Sequence, residues 1–229
     1  MVNILAIETS SELCTVALLV GEVITEREAE AGHAHSELVL PMVALLMKTR
    51  QLEFPDLDGI AFGAGPGSFT GLRIACGVAQ GLAFGAGLRV AGIGTLEALA
   101  EAAWQIDGAA GHVVACIDAR MGEVYHAAYR REGEGWRECS APGLYAPETI
   151  PVLDGDAWVG AGSGFAAHGA QLRARQPLSA ELPLLRPRAR MVAVLAAPRF
   201  AEGRAVEPGA ALPLYLRDKV ALTTRERRA

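Results

Sequence analysis

The stretch Ile4-Leu5-Ala6-Ile7-Glu8-Thr9-Ser10 decides the fold: four apolar residues stop at an acid and two hydroxyls. So short an apolar run, stopped by hydroxyls, reads as a buried strand. Working outward, residues 15–20 and 22–28 form two more strands joined at Gly21, so the chain opens as a β-meander. Half a chain later the order returns. Residues 112–117 are apolar, Asp118 stands where Glu8 stood, a short turn follows, and residues 123–129 make the next strand. Strand, acid, turn, strand is thus repeated in order, though weakly in identity. Two related halves follow, residues 1–108 and 109–229, with the end of the second able to pack back on the first.

The first half also reads in detail. Ser36 can cap a helix over 37–48, with Pro41 just past its first turn, where it kinks the helix or delays its regular part. Residues 58–62 make a strand. The turn Gly63-Ala64-Gly65-Pro66-Gly67-Ser68-Phe69-Thr70 leads into a helix over 71–84. A strand over 88–92 follows, and Thr95 can cap a helix over 96–104. In the second half, residues 133–164 are rich in glycine, proline and polar side chains and read as irregular. A helix over 189–201 breaks near Pro198, and residues 223–229 read as a frayed tail.

Composition narrows the function. Of 229 residues 51% are hydrophobic and 21% charged, a globular balance. A net charge of −5 argues against nucleic acid as the main direct partner. Cys14, Cys76, Cys116 and Cys139 form no CxxC pair and read as free thiols of a reducing compartment. No basic stretch precedes the first apolar run, which is too short to span a bilayer, so no membrane role and a cytoplasmic location are expected.

Three features could carry chemistry. Strand–acid–turn units resemble those of the actin, hexokinase and Hsp70 type of fold, where the acid organises a metal and turn amides hold phosphate. Such a turn needs glycine for close approach, and neither Glu8-Thr9-Ser10 nor Asp118-Ala119-Arg120 has one after its acid. Ordinary turns at strand ends are the simpler reading. A nucleotide site would need Glu8 and Asp118 to converge with Gly160, Gly162 and Gly164. The run from Gly63 to Gly71 lies where phosphate loops sit but has no lysine; the chain's lysines are Lys48 and Lys219. His33 and His35 stand two apart, do not share a helix face and lack a third ligand, so no metal is expected. His112, His126 and His168 are isolated.

The fourth feature is geometric. Gly77, Gly81 and Gly85 recur at helical spacing, with Gly71 and Ala75 near the start of the stripe. Each glycine costs a helix about 1 kcal/mol relative to alanine, which implies another backbone close by. Either this is the protein's own sheet, or the two helices form a flat docking surface. The candidate surface residues are Leu38, Met42, Leu45, Leu46, Gly71, Leu72, Ala75, Gly77, Val78, Gly81 and Gly85.

These residues resemble one family. The opening stretch, His35-Ser36-Glu37-Leu38-Val39-Leu40-Pro41, Gly65-Pro66-Gly67-Ser68-Phe69-Thr70-Gly71-Leu72-Arg73-Ile74 and Gly94-Thr95-Leu96-Glu97-Ala98-Leu99-Ala100 are similar to the TsaB (YeaZ) family. So are Asp118-Ala119-Arg120, Glu123-Val124-Tyr125 and Pro213-Leu214-Tyr215-Leu216-Arg217. The resemblance implies an α/β, two-lobed actin/Hsp70-like (RNase H-like) duplicated fold, its mixed sheets flanked by helices. It implies no active site and no cofactor beyond weak ATP or ADP binding. It implies a TsaD partner that transfers threonylcarbamoyl to adenosine 37 of tRNA, and a P-loop ATPase, TsaE, docking on the pair. Pairing runs through helices of the first lobe, the lone protein forms homodimers by the same surface, and tRNA is met only through the complex. Many members have Asp where this chain has Glu8, and the longer side chain further disfavours phosphate or metal there. The competing readings are an actin-like ATPase or phosphotransferase, and a glycoprotease-like metallopeptidase using His33 and His35.

Overall fold

Ten strands and five helices lie in the computed structural model, which describes residues 2–155 and 157–217. In chain order they are β1 (Asn3–Glu8), β2 (Leu13–Val20), β3 (Val23–Glu30), α1 (His35–Arg50), β4 (Gly59–Gly65), α2 (Phe69–Ala86), β5 (Arg89–Gly94) and α3 (Thr95–Ile106). Then come β6 (His112–Arg120), β7 (Glu123–Glu132), β8 (Gly135–Tyr145), β9 (Val159–Ala161), α4 (Ser163–Arg175), β10 (Ala180–Leu182) and α5 (Ala189–Ala201). One sheet runs β3-β2-β1-β4-β5 and the other β8-β7-β6-β9-β10. Counted within its own half, each reads third, second, first, fourth, fifth: an antiparallel meander, then two parallel strands reached by crossovers. That shared order is the duplicated, two-lobed α/β fold expected.

Alternation along β1 explains the packing. Leu5 and Ile7 face α1 and α2, joining Val39, Val43, Leu46, Ala75 and Ala79 in one core. Ile4 and Ala6 face the other way, against Met191, Val192 and Leu195 of α5. Both faces are covered, so β1 is apolar from Ile4 to Ile7. Helix α3 lies between the sheets: Ala98 and Ala102 pack toward the first, Leu96, Leu99 and Ala103 toward the second. The start of α5 has no capping side chain of its own. Instead Ala189 N–H donates to Thr15 Oγ1 (2.8 Å) and Arg190 N–H to Glu26 Oε1 (3.0 Å), so the first sheet caps a helix from the far end of the chain.

Several local expectations are corrected. Helix α1 starts at His35, after Ala34 and with no side-chain cap, and runs through Pro41. Strand β4 continues to Gly65, and the cap of α2 is Ser68, whose Oγ accepts from Gly71 N–H (3.3 Å). Thr95 lies inside α3, and its hydroxyl donates to the carbonyl of Pro66. Pro198 lies inside α5 without ending it. The largest correction is at 133–164, which holds the eleven-residue strand β8. It is an edge strand with no fully buried residue, and its register against β7 slips near Gly143 and Ser140. Edge strands tolerate polar residues, proline and bulges, so its composition hid it. The expected tail at 223–229 lies outside the described residues. Among the described residues no helix is long and apolar enough to cross a membrane.

Candidate functional site

A cleft of about 790 Å³ opens between the lobes. Ser10, Ser11 and Glu12 line it from the first hairpin, His33, His35 and Ser68 from the starts of α1 and α2, and Asp118, Arg120, Ser163 and Arg217 from the second lobe. Asp118 is held on all sides. Its N–H donates to Ser163 Oγ (3.1 Å), its Oδ1 accepts from Arg120 N–H (2.9 Å), and His168 Nε2 lies 3.7 Å from Oδ1. Arg120 pairs with Asp118 (3.3 Å) and reaches across the cleft to Glu12 (3.2 Å).

The residues that a nucleotide site would need to bring together do not converge. Ser10 and Asp118 line the cleft; Glu8 and Thr9 do not. Glu8 alternates with Ile4 and Ala6 and lies on the α5 side of its sheet, fully buried against Gly63. Asp118 alternates with Val114 and Cys116 and lies on the α4 side of its own. Burial raises the pKa of the Glu8 carboxyl, opposed by its bonds to Ser10 and Thr9. Its Oε1 accepts from Ser10 N–H (2.5 Å), while Oε2 finds no partner among the described residues, nor does Ser10 Oγ. A carboxyl so enclosed offers nothing to a metal or a phosphate in the cleft.

The glycines are spent on the protein's own backbone. Ser68 N–H donates to Ser10 O (2.8 Å), and Thr9 Oγ1 donates to Gly71 O (2.7 Å). A Cβ on Gly71 would overlap the carbonyl of Thr9, and one on Gly67 would press on Ser10. The glycine-rich turn therefore lies on the hairpin that would cradle phosphate. Gly160, Gly162 and Gly164 are likewise filled, by Phe165, Leu178, Leu99 and Cys116. His35 is buried with Nε2 at 2.9 Å from Ser11 O. Among the described residues no three His, Cys, Asp or Glu side chains are grouped to hold a metal.

The helix face divides in two. Gly77, Gly81 and Gly85 are exposed, and a Cβ on any of them would meet nothing within 4 Å. Leu45 (46% exposed) stands on α1, and Leu38, Met42 and Val78 are half-buried. Leu46, Gly71, Leu72 and Ala75 are buried within the chain, so these four expected surface residues belong to the core. Ala75 and Gly77 are two residues apart, about 200° around a helix, and cannot share a face. The continuous small stripe Gly71, Ala75, Ala79, Ala83 faces inward instead.

Sequence reasoning missed Phe84, 82% exposed beside the glycines, and a groove of about 580 Å³ lined by Leu40, Met47, Leu52, Phe54 and Leu82. Periodicity around the glycines could have found Phe84. It also missed the roles of Arg120 and Arg217, which depend on contacts across the chain.

Comparison with known proteins agrees with this fold. A family model described as TsaD, tRNA N6-adenosine threonylcarbamoyltransferase, matches residues 19–161. The TsaB protein of Escherichia coli (strain K12), a tRNA threonylcarbamoyladenosine biosynthesis protein, is 38% identical over 224 residues, 96% of each chain. That of Haemophilus influenzae is 37% identical over 227 residues, covering 95% of this chain and 94% of the relative. The solved structure of YeaZ from Pseudomonas aeruginosa superposes with a TM-score of 0.89 at 37% identity, covering 94% of this chain and all of the other. Fold and matched model together define a two-lobed α/β protein related to TsaD. Within that class, the chain belongs to the TsaB (YeaZ) family.

Proposed function

We propose that this protein is a non-catalytic scaffold subunit in the biosynthesis of threonylcarbamoyladenosine on tRNA, working in the cytoplasm. Its outer α1–α2 face binds and activates a TsaD homologue, and a TsaE ATPase docks on the pair. The observation that carries the reading is the exposed row of Gly77, Gly81 and Gly85, uncovered by the protein's own chain, with Phe84 exposed beside it. Three helix glycines with open space above them cost stability within the monomer. A partner helix packing directly on the backbone recovers that cost.

The same face serves the homodimer formed in the partner's absence, since an isologous contact needs a flat, self-complementary patch. The occupied hairpin and the enclosed Glu8 support a chain that neither hydrolyses nor requires a nucleotide. With a net charge of −5 the chain meets tRNA through its complex.

Light scattering on the purified protein mixed with its TsaD homologue tests this. A one-to-one complex formed at the expense of homodimer is expected, and no complex under any nucleotide condition rejects it. Gly81→Leu should weaken the complex at least about a hundredfold by standing a side chain in the contact, while the lone chain melts as before. An intact complex would remove the α2 face from the interface.

A further inference from the structure

The segment 211–217 runs from the end of the first lobe's packing to the second lobe, and polar contacts tie it to both. On α2, Ala211 O accepts from Gln80 Nε2 (2.9 Å) and Cys76 Sγ (3.4 Å). Leu214 N–H donates to Ala64 O (2.7 Å). Arg73 Nε donates to the Tyr215 hydroxyl (3.0 Å), and the Arg73 guanidinium lies 3.6 Å from the centre of the Phe69 ring, which itself packs at a tilt against Tyr215. Two residues later the segment is in the other lobe. Leu216 packs with its core, and Arg217 Nη2 donates to the carbonyls of Ala119 (3.0 Å) and Arg120 (3.4 Å) while pairing with Glu123 (2.8 Å).

The turn that Arg217 grips joins β6 to β7. Arg120 (φ 64°), Met121 (φ 57°) and Gly122 (φ 75°) are left-handed in succession, and two of them carry side chains. Side-chain-bearing residues hold this conformation when their surroundings enforce it. The Arg217 guanidinium braces the turn, Nη2 binding two of its carbonyls and Nη1 reaching Met121 Sδ (3.3 Å). Arg120, inside the turn, spans the cleft to Glu12. A chain of direct contacts thus leads from the flank of α2, through Tyr215 and Arg217, to the bridge across the cleft.

We propose that 211–217 is a clasp that couples α2 to the interlobe cleft, holding the 120–122 turn left-handed and the Arg120–Glu12 bridge closed while its Tyr215 end is seated on Arg73 and Phe69. The coupling to a partner rests on the reading that α2 carries the docking face; the coupling within the chain does not. Loosening the Tyr215 end releases Arg217, relaxes the turn and opens the cleft. Two sites then bias one two-state element, which is what coupling between them requires.

Amide hydrogen exchange of the full chain, followed by mass spectrometry over residues 118–124, tests the clasp. Arg217→Gln should speed exchange at 119–122 about tenfold, and Tyr215→Ala, which touches the turn nowhere, about threefold. A rise with Arg217→Gln and none with Tyr215→Ala would make Arg217 a local pin and overturn the coupling. No rise with either would overturn it too. If Arg217→Gln fails to fold, Arg217→Met keeps the unbranched stem, donates to neither carbonyl and gives the same comparison. Adding the TsaD homologue should slow exchange at 119–122 in the unaltered chain and leave Arg217→Gln unresponsive. A complex that leaves the turn unchanged counts against the clasp, whereas failure to form any complex strikes the docking reading and leaves the Tyr215 comparison standing.

Discussion

At the end of β1 the chain turns beneath its own glycine-rich loop; at the end of β6 it turns out into the cleft. The two sheets share one strand order, yet Glu8 is sealed on the α5 side of its sheet and Asp118 stands in the cleft on the α4 side of its own. A duplicated frame does not preserve the chemistry of its ends. Strand order is fixed by many side chains at once, whereas the face an end residue occupies is set by register, and a slip of one reverses it. In the first lobe the glycine-rich loop packs on the hairpin through Gly67 and Gly71, and that contact seats α2, whose outer side is left free.

Substitutions can break or sharpen this contrast. The largest effect is expected from Gly71→Ala, whose Cβ would overlap the Thr9 carbonyl. Unseating the glycine loop from the first hairpin should cost about 4 kcal/mol, read by urea unfolding. A loss under about 1 kcal/mol would show that the hairpin is not sealed by this contact.

The next effect is acid sensitivity, with opposite sign in the two lobes. His126, in β7, is buried with neither ring nitrogen hydrogen-bonded among the described residues, and burial lowers its pKa from 6.5 to about 4. As pH falls from 6.5 toward 4 the unfolded chain takes up the proton first, so stability drops, by roughly 3 kcal/mol in all. His126→Leu should flatten that slope. Glu8 works the other way. Its folded pKa lies above 4.5, so as pH rises from 4.5 the unfolded chain ionises first and stability declines until the folded pKa is passed. Glu8→Gln should remove this second slope. Urea midpoints measured from pH 4 to 7.5 separate the two, and unchanged slopes in either variant would show that the group titrates alike in both states.

The smallest effect is a gain. Gly77→Ala, on the open side of α2, should stabilise the lone chain by about 0.5–1 kcal/mol. Any loss would mean that the outer face is covered within the monomer.

Much of this was legible in the sequence, for identifiable reasons. The recurrence of strand, acid, turn, strand predicted two halves because apolar runs between turns are local signals. The glycine spacing on α2 likewise located the exposed face, since helical periodicity is local. Which residues joined that face was less legible. Leu46, Gly71, Leu72 and Ala75 match the surrounding composition but turn inward, because the seating of α2 on the first hairpin fixes its rotation. Strand β8 was hidden because its pairing with β7, not its own pattern, makes it a strand. The burial of Glu8 depends on Gly63 in β4, and no pattern within residues 4–10 could reveal it.

Helix α5 gives the chain a schedule. The face of the first sheet that carries Ile4, Ala6, Ala61 and Ile93 is closed by Met191, Val192 and Leu195. On the ribosome, where elongation adds about 5–20 residues per second, this face is finished early and then waits for most of the second half to be made. For several seconds a nascent chain displays an apolar sheet surface that α5, not yet made, will cover. A truncation that removes α5 would leave that surface bare for good, and a chaperone that shields nascent apolar surface would find its substrate in the first lobe rather than the second.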